Sequence, residues 1–84
     1  MNFTKAEQEM IRALKKERKA EIKETGEYPG YAIPKNHPDN GLDDSLQKFF
    51  KKQTVIAKNL VKKNVLVEIQ NDRRLLVFDL KTEE

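Results

Sequence analysis

All three prolines and all three glycines of this 84-residue chain fall between Thr25 and Leu42, in the stretch TGEYPGYAIPKNHPDNGL. A proline locks φ and removes an amide donor, so no regular helix or central strand runs through this segment. The chain therefore divides into a polar N-terminal run, a turn-rich loop and a strongly patterned C-terminal half. At about 18 residues the loop is long for so small a domain, and loops of that length are usually functional or disordered. Tyr28, Tyr31 and Ile33 are apolar enough to pin it to a core, and a short edge strand around Tyr31–Ile33 is an option.

The N-terminal run, FTKAEQEMIRALKKERKAEIKE, opens with Thr4 and Glu7 at the T-x-x-E spacing of a capping box. It predicts a helix from about residue 5 to 24, stopped by Gly26. Phe3, Ala6, Met10, Ala13 and Leu14 share one face, with Ile11 at its edge. Beyond Leu14 the same face bears Glu17, Glu21 and Glu24, so the apolar stripe ends about halfway.

A second helical run spans residues 43–63. Asp43 and Asp44 at its start suit the helix dipole and free amides. Leu46, Phe49, Phe50, Ala57, Leu60 and Val61 line one face, with Ile56 at the margin. Thr54 is itself a possible N-cap, so periodicity leaves open one helix or two. Then NVLVEIQNDRRLLVFDLK, residues 64–81, reads as a β-hairpin over residues 65–80 turning at Asn71-Asp72. That turn pairs Val67 with Leu76, Val65 with Phe78 and Ile69 with Arg74. Val65, Val67, Ile69, Leu76, Phe78 and Leu80 then face the core, opposite Glu68, Gln70, Arg73 and Asp79. The expected fold is α+β and a single small domain: a long helix, a Pro-rich loop, one or two further helices and a C-terminal hairpin.

Several function classes drop out. Without cysteine there is no disulfide framework and no thiolate metal site. No apolar run reaches the roughly 18 residues of a spanning helix, and the start MNFTKAEQEM lacks the apolar segment of a signal peptide. A soluble, cytoplasmic protein is the expectation. His37 is the only histidine and Ser45 the only serine, which leaves a single possible base for nucleophilic catalysis, in a turn-rich loop. An enzyme is not expected. The run HPDNGLDD gathers His37, Asp39, Asn40, Asp43 and Asp44, but it does not meet the calcium-loop pattern. Turn and helix-cap roles explain it, and no metal or cofactor is expected.

The lysines point somewhere. Lys48, Lys51, Lys52, Lys58 and Lys62 lie opposite the apolar face of the second helical run, and no Asp or Glu occurs between Ser45 and Val67. A solvated surface helix normally mixes signs for i,i+4 pairing. A stripe of one sign instead suits a polyanion, because each neutralised phosphate releases condensed counterions. The net charge of +3 permits this without demanding it. The first helix has its own stripe of Lys5, Arg12, Lys15, Lys16, Lys19 and Lys23. There Glu17, Glu21 and Glu24 against Lys15, Lys19 and Lys23 offer a different use, a seam between two copies of the helix.

The final third, TVIAKNLVKKNVLVEIQNDRRLLVFDLKTEE, resembles the end of a winged helix-turn-helix DNA-binding domain. In that family a recognition helix runs into a KKG-L-V-E junction, a two-stranded wing and an LT-E-E tail. Here LVKKNVLVE stands at the junction, with Asn64 where the family often has Gly. The opening FTKAEQEMIRAL is similar to a common first helix of such domains. The resemblance implies a recognition helix over residues 54–63, with Val55, Lys58, Asn59 and Lys62 towards the major groove. It places Arg73 and Arg74 at the wing tip, towards phosphate or minor groove. The middle departs from the family, whose second helix should follow the first closely. Either residues 44–52 are that helix displaced by an insertion, or the stretch is one long helix and the resemblance fails there. The expected function is a non-enzymatic nucleic-acid-binding module, a regulator binding double-stranded DNA before RNA. The alternative is a small inhibitor or adaptor that docks an acidic protein through its lysines. A break at Gln53–Thr54 favours DNA. A continuous helix with the tyrosine loop packed beside an exposed apolar patch favours the protein partner.

Overall fold

The computed structural model describes residues 2–81. Helix α1 spans Lys5–Thr25, strand β1 Tyr31–Pro34, helix α2 Asp44–Lys62, strand β2 Leu66–Asn71 and strand β3 Leu75–Leu80. A single 3-10 turn, Pro38–Asn40, sits between β1 and α2. The three strands form one antiparallel sheet in the order β1-β3-β2. The class is α+β. Among the described residues no helix is long and apolar enough to cross a membrane.

The core lies between one face of the sheet and the two helices. Ile33 pairs with Leu76 and Leu66 with Leu80, and these side chains, with Phe78 between them on β3, meet Met10 and Leu14 of α1 and Ala57 and Leu60 of α2. The short strand expected around Tyr31–Ile33 is β1, and Ile33 is fully buried. On α1 the buried stripe is Glu7, Met10 and Leu14, with Ile11 half-buried. Ala6 and Ala13, expected on the core face, are exposed. The reason is that Glu7, expected only as a cap, faces inward and rotates the stripe towards Ile11.

Glu7 closes the capping box, accepting the Thr4 amide at 2.7 Å while the Thr4 hydroxyl accepts the Glu7 amide at 3.1 Å. It is also 3% exposed, which a carboxylate tolerates only when paired. The partner is Lys63 at the end of α2, whose Nζ donates to Oε1 at 2.7 Å and Oε2 at 3.0 Å. The same ammonium donates to the Asn2 carbonyl at 3.0 Å and lies 5.4 Å from the centre of the Phe3 ring. One lysine therefore clasps the end of α2 to the start of α1. The Lys63 hydrogen bond, and after it the Thr4 amide, hold the Glu7 carboxyl below its ordinary value despite burial.

Helix α2 is a single helix, so the two-helix option is set aside. Thr54 does not cap a new helix. Its hydroxyl bonds back to the Phe50 carbonyl at 2.8 Å, the i−4 pattern of a residue inside a helix. The helix ends at Asn64, which has φ of 63°. Its amide donates to the Val61 carbonyl and that of Val65 to the Leu60 carbonyl, at 3.1 and 3.0 Å. This is a Schellman ending, with Asn taking the left-handed position that Gly most often fills.

The hairpin forms where expected but not in the expected register. The turn is centred on Arg73-Arg74, because the Asp72 carboxylate accepts both the Arg74 and Leu75 amides, at 2.9 and 2.8 Å, and the Asp72 amide bonds the Leu75 carbonyl at 3.0 Å. Val67 consequently opposes Asp79 rather than Leu76, and Ile69 bulges out between Glu68 and Gln70. The residue of β2 that enters the core is Leu66; Val67 and Ile69 are exposed, and Val65 packs at the core margin ahead of the strand. On β3 the expected Leu76, Phe78 and Leu80 do face inward. On the opposite face Asp79 is half-buried and accepts from Arg18 of α1 at 3.3 Å.

Two outcomes follow. Replacing Leu60 by Ala should lower the unfolding free energy by about 2–5 kcal/mol in a denaturant titration. For Glu7, a folded-state pKa below the ordinary 4.5 means its stabilisation is complete above that value and is lost as pH falls through the folded pKa. The thermal midpoint should therefore drop on acidification below that value. Glu7→Gln should be less stable at neutral pH and show a shallower acid dependence.

Candidate nucleic-acid interface

Because α2 is unbroken, its residues keep one periodicity from end to end. At about 100° per residue, Lys48, Lys51, Lys52, Val55, Lys58, Asn59 and Lys62 fall within an arc of about 120°. All seven are exposed. The opposite side carries Ala57 and Leu60 into the core. The helix start is fixed by Asp43, whose carboxylate accepts the Leu46 amide at 2.8 Å.

Half of this arc faces another wall. The segment after β1 runs back beside α2, and between them lies an open groove of about 610 Å³. Lys48, Lys51, Val55 and Lys58 line it from α2 and Lys35 from the opposite side. Its floor is apolar, formed by Pro34, Leu42, Phe50 and Leu76. Asp44, at the helix start, is the one carboxylate among its lining residues; Asn36, Gln47 and Thr54 complete it. Lys52, Asn59 and Lys62 lie on the same arc outside the groove.

The facing wall is held by the hairpin. The Lys35 amide donates to the Arg74 carbonyl at 2.8 Å, and the Asn40 side chain donates to the carbonyls of Lys35 and Arg74 at 2.8 and 3.1 Å. Lys35 Nζ meets the Asn71 side chain. The Gln47 side chain ties the loop to α2 through the Leu42 carbonyl at 3.0 Å. The Pro-rich loop is thus ordered against two elements distant in sequence. Arg73 and Arg74 border a second hollow of about 460 Å³ with Asn40, Asp72 and Leu75. The Asp72 carboxyl is held below its ordinary value chiefly by the Leu75 and Arg74 amides, then by Gln70. It acts as the turn's clamp.

Lys35 and the apolar floor were not among the expected site residues. A lysine between Pro34 and Asn36 has no periodic neighbours in the sequence, and only the pairing of β1 with β3 sets it opposite α2. His37 caps the 3-10 turn, its Nδ1 accepting the Asp39 amide at 3.1 Å. Among the described residues no three His, Asp or Glu side chains are grouped as metal ligands. The lysines and the arginine of the α1 stripe are exposed, on the side of the helix away from the core.

The continuity of α2 can be checked by amide exchange. Exchange over residues 53–56 should be slowed as in a helix interior; fast exchange there, with residues 57–60 still protected, would show a break. No family model, curated protein or solved structure matches this chain.

Proposed function

We propose that this chain is a non-enzymatic nucleic-acid-binding module, DNA before RNA, that engages the phosphate backbone with the basic arc of α2 and the hairpin tip. The observation that supports it best is the absence of any carboxylate in that arc over about 21 Å of helix, from Lys48 to Lys62. Polyanion affinity grows with each phosphate neutralised, and a row of ammonium groups with no interleaved carboxylate suits that. Arg73 and Arg74 add two guanidinium groups at the turn of the hairpin, both exposed.

The likeness to a winged helix-turn-helix domain supports the reading in the final third only. There a basic helix turns at Asn64 into a two-stranded hairpin with arginines at its tip. The unbroken helix through Thr54 leaves no separate second helix of the length that family uses, so a regulatory role at duplex DNA rests on charge and not on that motif. Pairing of two copies through α1, with Glu17, Glu21 and Glu24 on one face of the helix set against Lys15, Lys19 and Lys23 on another, belongs to the same reading.

Two observations favour the second reading, a module that docks an acidic protein: α2 is unbroken at Gln53–Thr54, and apolar side chains are exposed at its start. Leu46 and Phe49 are 42% and 52% exposed at the start of the unbroken α2, with the Phe49 ring against Phe50 at 5.4 Å.

Fluorescence anisotropy of a labelled mixed-sequence duplex across a salt series tests the first reading. Binding should weaken linearly in log affinity against log salt, and Lys58→Glu/Lys62→Glu should lose roughly tenfold or more at low salt. A folded protein that binds no DNA at low salt would sink it.

A further inference from the structure

We infer that the groove between α2 and the segment following β1 takes an unpaired nucleic-acid strand, its phosphates along the lysine walls and its bases on the apolar floor. This rests on the nucleic-acid reading and narrows its ligand class.

A recognition helix enters the major groove of a duplex as a convex rod. The basic arc of α2 is only half convex. Lys51, Val55 and Lys58 face Lys35 across the groove, with the apolar floor below them. A ligand meets these residues only by sending something narrow into the concavity. A duplex directs its phosphates outward and keeps its base faces stacked inside, so it has no base face to lay on that floor. An unpaired strand is narrow and exposes its base faces.

The chemistry of the groove matches that ligand on both counts. Lys48, Lys51 and Lys58 on one side and Lys35 on the other can meet a phosphate backbone from two directions. Between them lie Phe50, Leu42 and Leu76, and a solvated anion site would have little use for such a floor. Val55, an apolar residue in the middle of a lysine arc, is 55% exposed at its edge. Isolated apolar residues are common on surfaces, but this one continues the floor upward between Lys51 and Lys58. Asp44 repels phosphate at the end near the start of α2, so the strand's path leaves the groove before reaching it. With four lysines against that one carboxylate, the electrostatic preference is for an anion. The Lys35 wall is held by the hydrogen bonds to Arg74, so the concavity exists before any ligand arrives.

The test uses the full chain, with folding of each variant checked by circular dichroism. A labelled thymidine oligonucleotide of roughly 15 residues, a mixed-sequence strand of that length and its duplex are titrated by anisotropy at one salt concentration. Lys51→Gln and Lys52→Gln change the charge equally, one inside the groove and one outside. The expected result is that the single strands bind about tenfold more tightly than the duplex. Lys51→Gln should weaken them severalfold more than Lys52→Gln. Val55→Ser should weaken them without altering the salt slope, since it changes no charge. Should the duplex bind as tightly as the strands, with Val55→Ser neutral for all, this inference fails while the nucleic-acid reading stands. Should neither strand nor duplex bind, that reading itself fails. A labelled peptide of alternating Glu and Leu runs alongside, and its tighter binding, lost in Lys51→Gln, would overturn the proposal in favour of an acidic protein partner.

Discussion

Leu76, Phe78 and Leu80 stand along one face of β3, and the rest of the molecule is arranged to keep that row dry. β3 is the central strand, so its backbone needs a partner on each side and its apolar face needs a cover. The chain supplies the first by bringing β1 out of the Pro-rich loop and β2 out of the end of α2. It supplies the second by laying α1 and α2 across the same face. The short β1, closed by Pro34, can only be an edge strand. On the outer face Val77 is buried, and there Gly30 runs so close that a Cβ on it would lie 2.5 Å from a Val77 methyl. With φ of 106° as well, that position has room for no side chain.

The groove is a by-product of the same arrangement. β1 must pair with β3, and α2 must cover Leu76 and Phe78, so the segment leaving β1 is forced alongside α2. Its hydrogen bonds to the Arg74 carbonyl fix it to the hairpin, and the Gln47 side chain, donating to the Leu42 carbonyl, ties it to α2. The lysines of α2 are outside because Ala57 and Leu60 on the opposite side of the helix are inside. What converts a solvated stripe into a two-walled groove is Lys35, delivered by an element that has no periodicity of its own.

Reading the chain residue by residue captured the local rules well. The Thr4 capping box, the Asp43 cap, the short strand near Tyr31 and the inward row of β3 each rest on a few adjacent residues, and the structure has them all. The hairpin register depended on which two residues turn. Asn71-Asp72 is the stronger turn dipeptide, but the Asp72 carboxylate gives more as an acceptor for the Arg74 and Leu75 amides than as a turn residue. That choice moved the pairing along and left Ile69 as a bulge. Thr54 was ambiguous for a related reason, since its hydroxyl can cap a new helix or bond back within an old one, and nothing nearby in sequence decides.

The sequence by itself determined much of what each segment would be: where the helical runs start and stop, though not whether residues 43–63 form one helix or two, where no helix can pass, which side of α2 is basic and which strand is most apolar. These follow from backbone sterics, capping and periodicity, all of which act over a few residues. Only the tertiary structure decided that Glu7 is buried against Lys63, that Leu66 and not Val67 enters the core, and that Lys35 faces Lys51 and Lys58 across an apolar floor. Each of these joins residues far apart in the chain. Their partners are chosen by how the helices settle on β3 and how the strands slide to satisfy their amides, and side-chain burial is felt only once those surfaces have met.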